Sequence, residues 1–435
     1  MKKKAIVVLA NLCRLVLGAV FVFSGYVKAI DPIGTQYKIQ DYLEALGLQG
    51  WAADWMTLGA SVVLSALEFT LGILVLFAVR RRLVSKAVFV VMLFMTAVTV
   101  WLAVADPIQD CGCFGDAVKL TNMQTLGKNV ALLAMAAVLM RWPLAVIRSL
   151  SNSTQWIVFY YTLFFILASS FVSLYKLPLF DFRPYRVGTD IKKGMEIPEG
   201  AKQPQFETTF ILQKDGVKRE FTLDDYPDST WEFVDSKTVQ TEAGYVPPIH
   251  DFSITLNATG EDITEQVLSR EGYTFLLISP HLENADDSNF GDIDQLNEYA
   301  QAHGIPFYCL TASTGEGIQR WVDLTGAEYA FCTTDATTLE TVIRSNPGLV
   351  LIKGGVVYQK WSHNALPKAE ELTKPLAQLP IGQQAKPETG RKVLNIFLLF
   401  LLPLIALSLA DRAWAWTKWL RLNRKKQTIQ TQRQP

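Results

Sequence analysis

Cysteine is scarce in this chain, five in 435 residues, and histidine is scarcer at four. So few cysteines exclude a disulfide-knit scaffold. The two that stand close together, Cys111 and Cys113, have no third or fourth Cys or His nearby. Zinc wants three or four protein ligands, so a metal site there is poorly supplied. A surplus of charge is missing too: 41 Lys and Arg balance 41 Asp and Glu. Nothing in that balance points to nucleic acid. No phosphate loop, nucleophile elbow or zincin motif occurs.

Apolar residues are what the chain has in excess. Half of it is hydrophobic, concentrated in 1–175 and 392–416, whereas 177–391 has the composition of a soluble domain. About 20 helical residues cross a hydrocarbon core. Six runs qualify, at about 5–29, 57–79, 86–105, 122–140, 154–175 and 392–411. The first follows MKKK, as a secretory signal would. It is too long, and no small-residue cleavage site precedes SGYVKAIDP, so it reads as an uncleaved span.

Lys and Arg in flanking segments set the orientation. Lys2 to Lys4, RRRLVSK, Arg141 with Arg148, and the tail KWLRLNRKKQTIQTQRQP all fall on one side if six spans alternate. That side is expected to be the cytoplasm of a bacterial inner membrane, with both termini inside. The opposite loops carry Asp31, Asp41, Glu44 and Asp54, then Asp106, Asp110 and Asp116. The large soluble domain is expected on that outer, periplasmic side.

The outer loop DPIQDCGCFGDAVKL holds the cysteine pair. A Cys-Gly-Cys disulfide would close a very small ring, and Gly112 permits the bend it needs. Such a bridge adds little by restricting the unfolded chain; exposed, strained bridges tend to be labile or catalytic. Three readings stay open: a redox-active dithiol, an inert pair in a turn served by Gly112 and Gly115, and a metal site. Asp110 and Asp116 would raise a thiol pKa, whereas Lys119 and Lys128 would lower it.

Charges also stand inside spans. Arg14 lies about ten residues into the first and Glu68 about twelve into the second. Each costs roughly 2.5–3.5 kcal/mol at a span centre, so each is expected to face a partner or a wet cavity. As neighbours they would offset each other; otherwise they would line a polar pocket for a quinone-like acceptor or a proton path. Lys28 and Lys128 near the outer helix ends are expected to snorkel, and Cys13 to pack.

These residues carry a resemblance. CGCFG between two spans, NLCRLVLGAVFVFSGYVKAIDP and ALEFTLGILVLF resemble the MauE/DoxX group of membrane proteins over about residues 5–142. The resemblance implies a four-helix membrane bundle. It also implies a role in forming or maintaining disulfides of exported partners, usually alongside a thioredoxin-like protein. Cys111 and Cys113 carry over as the reactive pair, with Arg14, Lys28 and Glu68 behind them. No cofactor is required on this reading, though a lipid quinone would serve as acceptor.

The soluble region opens with an extended connector. ETTFILQKDGVKREFTL then alternates around Lys-Asp-Gly as a hairpin, and GYVPPIHDFSITL gives another strand. From Tyr273 the order is YTFLLIS strand, FGDIDQLNEYAQAHG helix, IPFYCLTAS strand, TGEGIQRWVDLTG helix and AEYAFCTT strand. DATTLETVIRSN follows as a helix capped by Asp335, then the hairpin PGLVLIKGGVVYQKW. That order resembles the thioredoxin fold, with Asn346-Pro347 as its cis-proline turn. Thioredoxins have Cys-x-x-Cys after the first of these strands; this chain has SPHLENADD, with no thiol for exchange. Cys309 and Cys332 are expected as inert thiols, with mutual pairing a lesser alternative.

The expected architecture is an α-helical membrane protein: a four-span bundle (1–150), a fifth span (151–176), a connector and β-rich segment (177–270), an α/β thioredoxin-like domain (271–385), a sixth span (392–411) and a basic tail (412–435). The expected function is a thiol–disulfide relay acting on exported thiol proteins. A non-catalytic scaffold and a small-molecule transporter built on Arg14 and Glu68 are the alternatives.

Overall fold

The structure, a computed structural model, describes residues 2–48, 50–108, 111–148, 150–202, 205–214, 217–221, 232–242, 244–385 and 389–431. Six of its helices are long and apolar enough to cross a membrane. They are α1 (Lys2–Ile30), α3 (Asp54–Leu76), α4 (Arg81–Ala105), α5 (Asn122–Arg141), α6 (Gln155–Tyr175) and α12 (Thr389–Thr431). The six expected spans are all present. The last is longer than expected: 43 residues make a rod of about 65 Å at 1.5 Å per residue, so the tail continues the helix beyond any hydrocarbon core.

One expected loop is a helix. Residues 32–45 form α2 (Pro32–Ala45), started by Pro32 and by Asp31, whose side chain accepts from the Gly34 amide. Proline at the first helical position behind an acidic cap is a start signal. Its low apolar content hid it from a search for spans. α5 begins at a capping box of Thr121 and Gln124.

α1 packs chiefly on α3, and α4 on α5. The α1–α3 approach depends on small residues. A Cβ on Gly25 would collide with the Phe69 backbone, and one on Gly72 would lie 2.7 Å from the Val22 amide nitrogen. Close helix crossings in lipid use this device. Leu17, Phe21, Phe69, Leu132 and Ile166 fill the core, and α12 joins it through Phe400. The Phe400 ring lies 4.5 Å from Phe165 and 5.3 Å from Phe69. At one end, Arg81 donates to the Val146 carbonyl and Asp411 accepts from Ser151. The cysteine loop and α2 lie at the other end.

The region after α6 begins with α7 (Ile191–Met195) and a three-stranded antiparallel sheet of β1 (Gln205–Lys214), β2 (Val217–Phe221) and β3 (Glu232–Glu242), ordered β2-β1-β3. The expected hairpin is β1–β2; Asp215 and Gly216 of its turn lie outside the described residues. Beyond it come β4 (Thr255–Leu256), α8 (Thr264–Leu268), β5 (Tyr273–Ile278), α9 (Phe290–Ala302), β6 (Phe307–Thr311), α10 (Gly315–Thr325), β7 (Ala330–Thr333), α11 (Ala336–Val342), β8 (Gly348–Lys353) and β9 (Val356–Ser362). The sheet order is β4-β7-β6-β5-β8-β9. β5, β6 and β7 are parallel, and β8 and β9 return antiparallel. With a helix on each crossover and a cis Asn346–Pro347 bond before β8, this is the thioredoxin-like arrangement. The strand expected in GYVPPIHDFSITL is reduced to β4.

Alternation along each strand builds two cores. Leu276, Ile278, Leu310 and Cys332 face one layer; Phe275, Leu277, Phe307 and Cys309 face the other. Cys309 and Cys332 therefore lie on opposite sides of the sheet, which rules out their pairing. The connector is not free: Gly188 donates to the Val357 carbonyl and Val357 to that of Thr189, covering the β9 edge.

The glycine crossing gives a stability test. Gly25→Ala overpacks the α1–α3 seam and should cost about 1–3 kcal/mol. Gly127→Ala, in open space on α5, should be neutral or better. Thermal unfolding of the purified full chain compares them; equal Tm values would refute the crossing.

Candidate functional site

The last turns of α1 carry Ser24 and Lys28, four residues apart and so on one helix face. Gly25 between them lets α3 approach, which brings Glu68 to the same point. Lys28 Nζ lies 2.8 and 2.7 Å from the two Glu68 carboxylate oxygens, and both residues are buried. The Ser24 hydroxyl accepts from Lys28 at 3.1 Å. It stands 2.7 Å from Glu68 Oε2 and 2.8 Å from the Cys113 carbonyl, with one proton to donate to either. A buried ion pair thus sits directly beneath the cysteine loop.

Two of the expected roles change here. Lys28 does not snorkel; it is 5% exposed and paired. Arg14 is not Glu68's partner. It lies fourteen residues before Lys28 on α1, about 21 Å along the axis, and donates to the Ile147 carbonyl at 2.8 Å. Arg14 therefore caps a loop at the opposite end of the bundle. The two intramembrane charges expected to form one site do not.

In the loop, Gly112 has φ +62° and Gly115 φ +51°, left-handed values that glycine adopts without strain. They fold the chain so that Cys111 Sγ and Cys113 Sγ lie 2.9 Å apart, both thiols free. Tyr42 of α2 donates to the Cys111 carbonyl at 2.8 Å, and Asn122 donates to Asp106 and to the Ile108 carbonyl. Phe114 packs on Phe23, with Lys128 Nζ 4.2 Å from its ring centre. The loop is held from three helices.

The dithiol is electrically asymmetric. Cys113 is pushed down to about 6 by the hydrogen bond it accepts from Cys111; burial opposes this, and Lys128 and Lys28 assist. Cys111, the donor, is pushed up by that same bond and by burial. The first proton therefore leaves the pair early, and the charge settles on Cys113. Of the expected modulators, Lys128 acts. Asp116 is drawn away by Arg344, and Asp110 lies outside the described residues. Beside Cys113 is a space of about 40 Å³, walled by Met92, Met95, Lys128 and the Glu68 pair. On that scale one water needs about 10–15 Å³, so the space holds a few waters and, as the walls stand, no quinone ring.

Arg344 of the thioredoxin-like domain reaches the flank of this loop. Arg344, 8% exposed, precedes the cis-proline turn. Its Nε lies 3.1 Å from both Asp31 carboxylate oxygens, and Nη2 lies 3.3 Å from Asp116. Nη1 donates to the Glu340 carbonyl, and the guanidinium stacks 5.2 Å from the Tyr37 ring centre. Asp116 is three residues after Cys113, so the thioredoxin-like domain grips the loop's flank. In that domain SPHLENADD binds the proline turn: Ser279 donates to Asn346 and Asn346 to the His281 carbonyl. Ser345, His363 and Asp286 look like a hydrolytic triad but cannot act as one. Ser345 donates its proton to the Pro347 carbonyl and accepts from the His363 amide, so His363 Nδ1 can only donate to it.

Sequence reasoning missed Ser24, Tyr42, Asp31 and Arg344. Ser24 was visible in SGYVK, four residues before Lys28. Nothing local marked Arg344, because its partners are some 230 and 310 residues away.

Fold and site together define a multi-pass membrane protein that pairs a Cys-Gly-Cys loop with a thioredoxin-like domain. Residues 6–142, about a third of the chain, match the family model of the methylamine utilisation protein MauE. Residues 206–243 match a domain of unknown function, DUF8463. None of the curated proteins compared matches. Among solved structures, a thioredoxin-like protein from Aeropyrum pernix is 15% identical, with 28% of this chain and 87% of that one covered at a TM-score of 0.23. A presumed protein disulfide isomerase from Bacteroides thetaiotaomicron is also 15% identical, covering 33% and 91% at 0.24.

The asymmetry of the dithiol is measurable. In the reduced full chain, alkylation of Cys113 should titrate with a midpoint near 6, and Lys128→Met should move it upward. An ordinary thiol midpoint near 8.5, indifferent to Lys128, would contradict the assignment.

Proposed function

We propose that the chain is a membrane thiol–disulfide relay that forms disulfides in exported partner proteins. What carries the reading is the geometry of the loop: two sulfurs within bonding reach, one with a depressed pKa, above a buried ion pair. Inert cysteines in a turn need none of these.

In the oxidised loop, a partner thiolate attacks Cys111 Sγ. The Cys111–Cys113 bond breaks, and Cys113 departs as the thiolate that Lys128 and Lys28 favour, since the lower-pKa thiol leaves faster. The partner's second thiolate then attacks its own sulfur in the mixed disulfide and releases Cys111. Two electrons and two protons pass from the partner to the pair. Restoring the disulfide requires a two-electron acceptor on the membrane side, next to Cys113. The space there does not take a quinone ring as its walls stand, so no step is routed through one; a quinone would need the Met95 and Lys128 wall to move.

The reading includes a bacterial inner membrane, with Lys2–Lys4, Arg80–Arg82 and the α12 tail in the cytoplasm and the outer domain in the periplasm. The chemistry then meets exported proteins in a compartment where disulfides persist.

The order of attack gives the test. Run in reverse against partners that already hold their disulfide, Cys113→Ser should accumulate partners disulfide-linked to Cys111 in acid-quenched cells, since Cys111 displaces one partner thiolate and no neighbour resolves the adduct; Cys111→Ser should trap several-fold fewer. Equal trapping by both variants would reject the assigned roles. A wild-type loop never found oxidised, with no adduct on either variant, would favour the scaffold reading instead.

A further inference from the structure

At the end of the bundle opposite the cysteine loop lies a trough of about 450 Å³, between the start of α4, the loop after α5 and the start of α6. Arg80, Arg81, Arg82 and Arg148 line it, and among the described residues no Asp or Glu does. Leu83 and Leu144, each more than half exposed, form its apolar edge. Four guanidiniums gathered without a counter-charge repel one another, and an anion between them relieves that repulsion.

Three observations point to such an anion. The Arg80 and Arg82 side chains are exposed and make no hydrogen bond or ion pair among the described residues. Arg81 is fixed through Nη1 to the Val146 carbonyl, and Arg148 through Nε and Nη2 to the Leu150 carbonyl and Asn152. Their other N–H groups are uncommitted among the described residues. Asp411, an acid at this end, accepts from Ser151 and Thr154 and offsets part of the Arg148 charge. It does not line the trough.

The second observation is that these arginines stand where a helix start disfavours them. α4 has no acid in its first turn and no side chain capping it, although the positive end of a helix dipole favours anions. The third is the backbone that presents them. Ala78 and Arg80 take left-handed φ values of +54° and +38°, which residues other than glycine adopt only when their surroundings impose it. Gln155 Oε1 pins the Arg80 amide at 3.0 Å. The turn is therefore held in the shape that brings the arginines to one trough.

We propose that this trough binds the headgroup of an anionic phospholipid, with its phosphate on the Arg80 and Arg82 guanidiniums and an acyl chain over Leu83 and Leu144. The place suits a lipid, because it lies where the apolar spans α4 and α5 end, at headgroup level. The site stands apart from the relay reading, since neither cysteine takes part in it.

The test is lipid binding by the purified full chain in detergent, read as lipid adducts by native mass spectrometry. Dioleoyl phosphatidylglycerol and dioleoyl phosphatidylcholine share acyl chains and a phosphate and differ in net charge. One phosphatidylglycerol should bind saturably and about tenfold tighter than phosphatidylcholine. Arg80→Gln combined with Arg82→Gln should erase that preference. Lys86→Gln combined with Arg141→Gln, at the same end but outside the trough, should keep it. Without lipid the Arg80 and Arg82 double variant should unfold no earlier than wild type, so its loss of binding reads the site and not the fold. Equal affinities for the two lipids overturn the proposal. So does an equal loss from both double variants, which would mean basic residues that only orient the spans. Inorganic phosphate in modest excess should leave the adduct in place; displacement of the lipid by it would reject a lipid ligand in favour of free phosphate.

Discussion

A lysine and a glutamate buried together in an apolar bundle govern the cysteine-bearing end of this molecule. Taking either charge out of water costs several kcal/mol, which close geometry and extra hydrogen bonds must offset. Lys28 meets both Glu68 oxygens and Ser24, so the pair has that geometry. Removing one partner from such a pair typically costs about 3–5 kcal/mol. The consequences run both ways along the structure. Gly25 and Gly72 let the helices come close enough for the pair to form, and Ser24 links it to the Cys113 carbonyl. The position of the sulfurs therefore depends on helix packing deep in the bundle rather than on the loop alone.

The α/β domain keeps a thioredoxin-like sheet and its proline turn but carries no thiol at the place where exchange would run. Arg344, almost fully buried between Asp31 and Asp116, ties it to the bundle, and Ser362 donates to the Tyr175 carbonyl of α6. A guanidinium suits this role because its planar fork can meet one carboxylate twice and still reach a second. On the proposed reading the two halves divide the labour. The bundle supplies reversible sulfur chemistry, and the domain holds the flank of the cysteine loop through Arg344.

Much of this was legible in the sequence, and the failures have physical causes. Spans are set by length and hydropathy, so all six were found, and strand–helix alternation after Tyr273 gave the thioredoxin-like fold. Cys111 and Cys113 stood out because Gly112 separates them, and the positive φ at Gly112 is what that glycine permits. Arg14 misled: hydropathy places a charge along a span but says nothing about which neighbour it faces, and its partner is a loop carbonyl at the far end. Lys28 was read as a snorkelling residue because the Glu68 contact depends on a helix crossing, not on spacing. Helix α2 escaped because it is polar, although Asp31-Pro32 signalled its start. Arg344 left no local mark; ion pairs across hundreds of residues are visible only once the chain has folded.

The central claim is that the two sulfurs pass reversibly between dithiol and disulfide at a potential set by their surroundings. Equilibrating the purified full chain against graded thiol–disulfide buffers, then alkylating and weighing the 106–121 peptide, tests it most directly. The account predicts a single two-electron transition within that peptide, displaced in Glu68→Gln. A peptide that stays fully reduced at every poise, including the most oxidising, would contradict it.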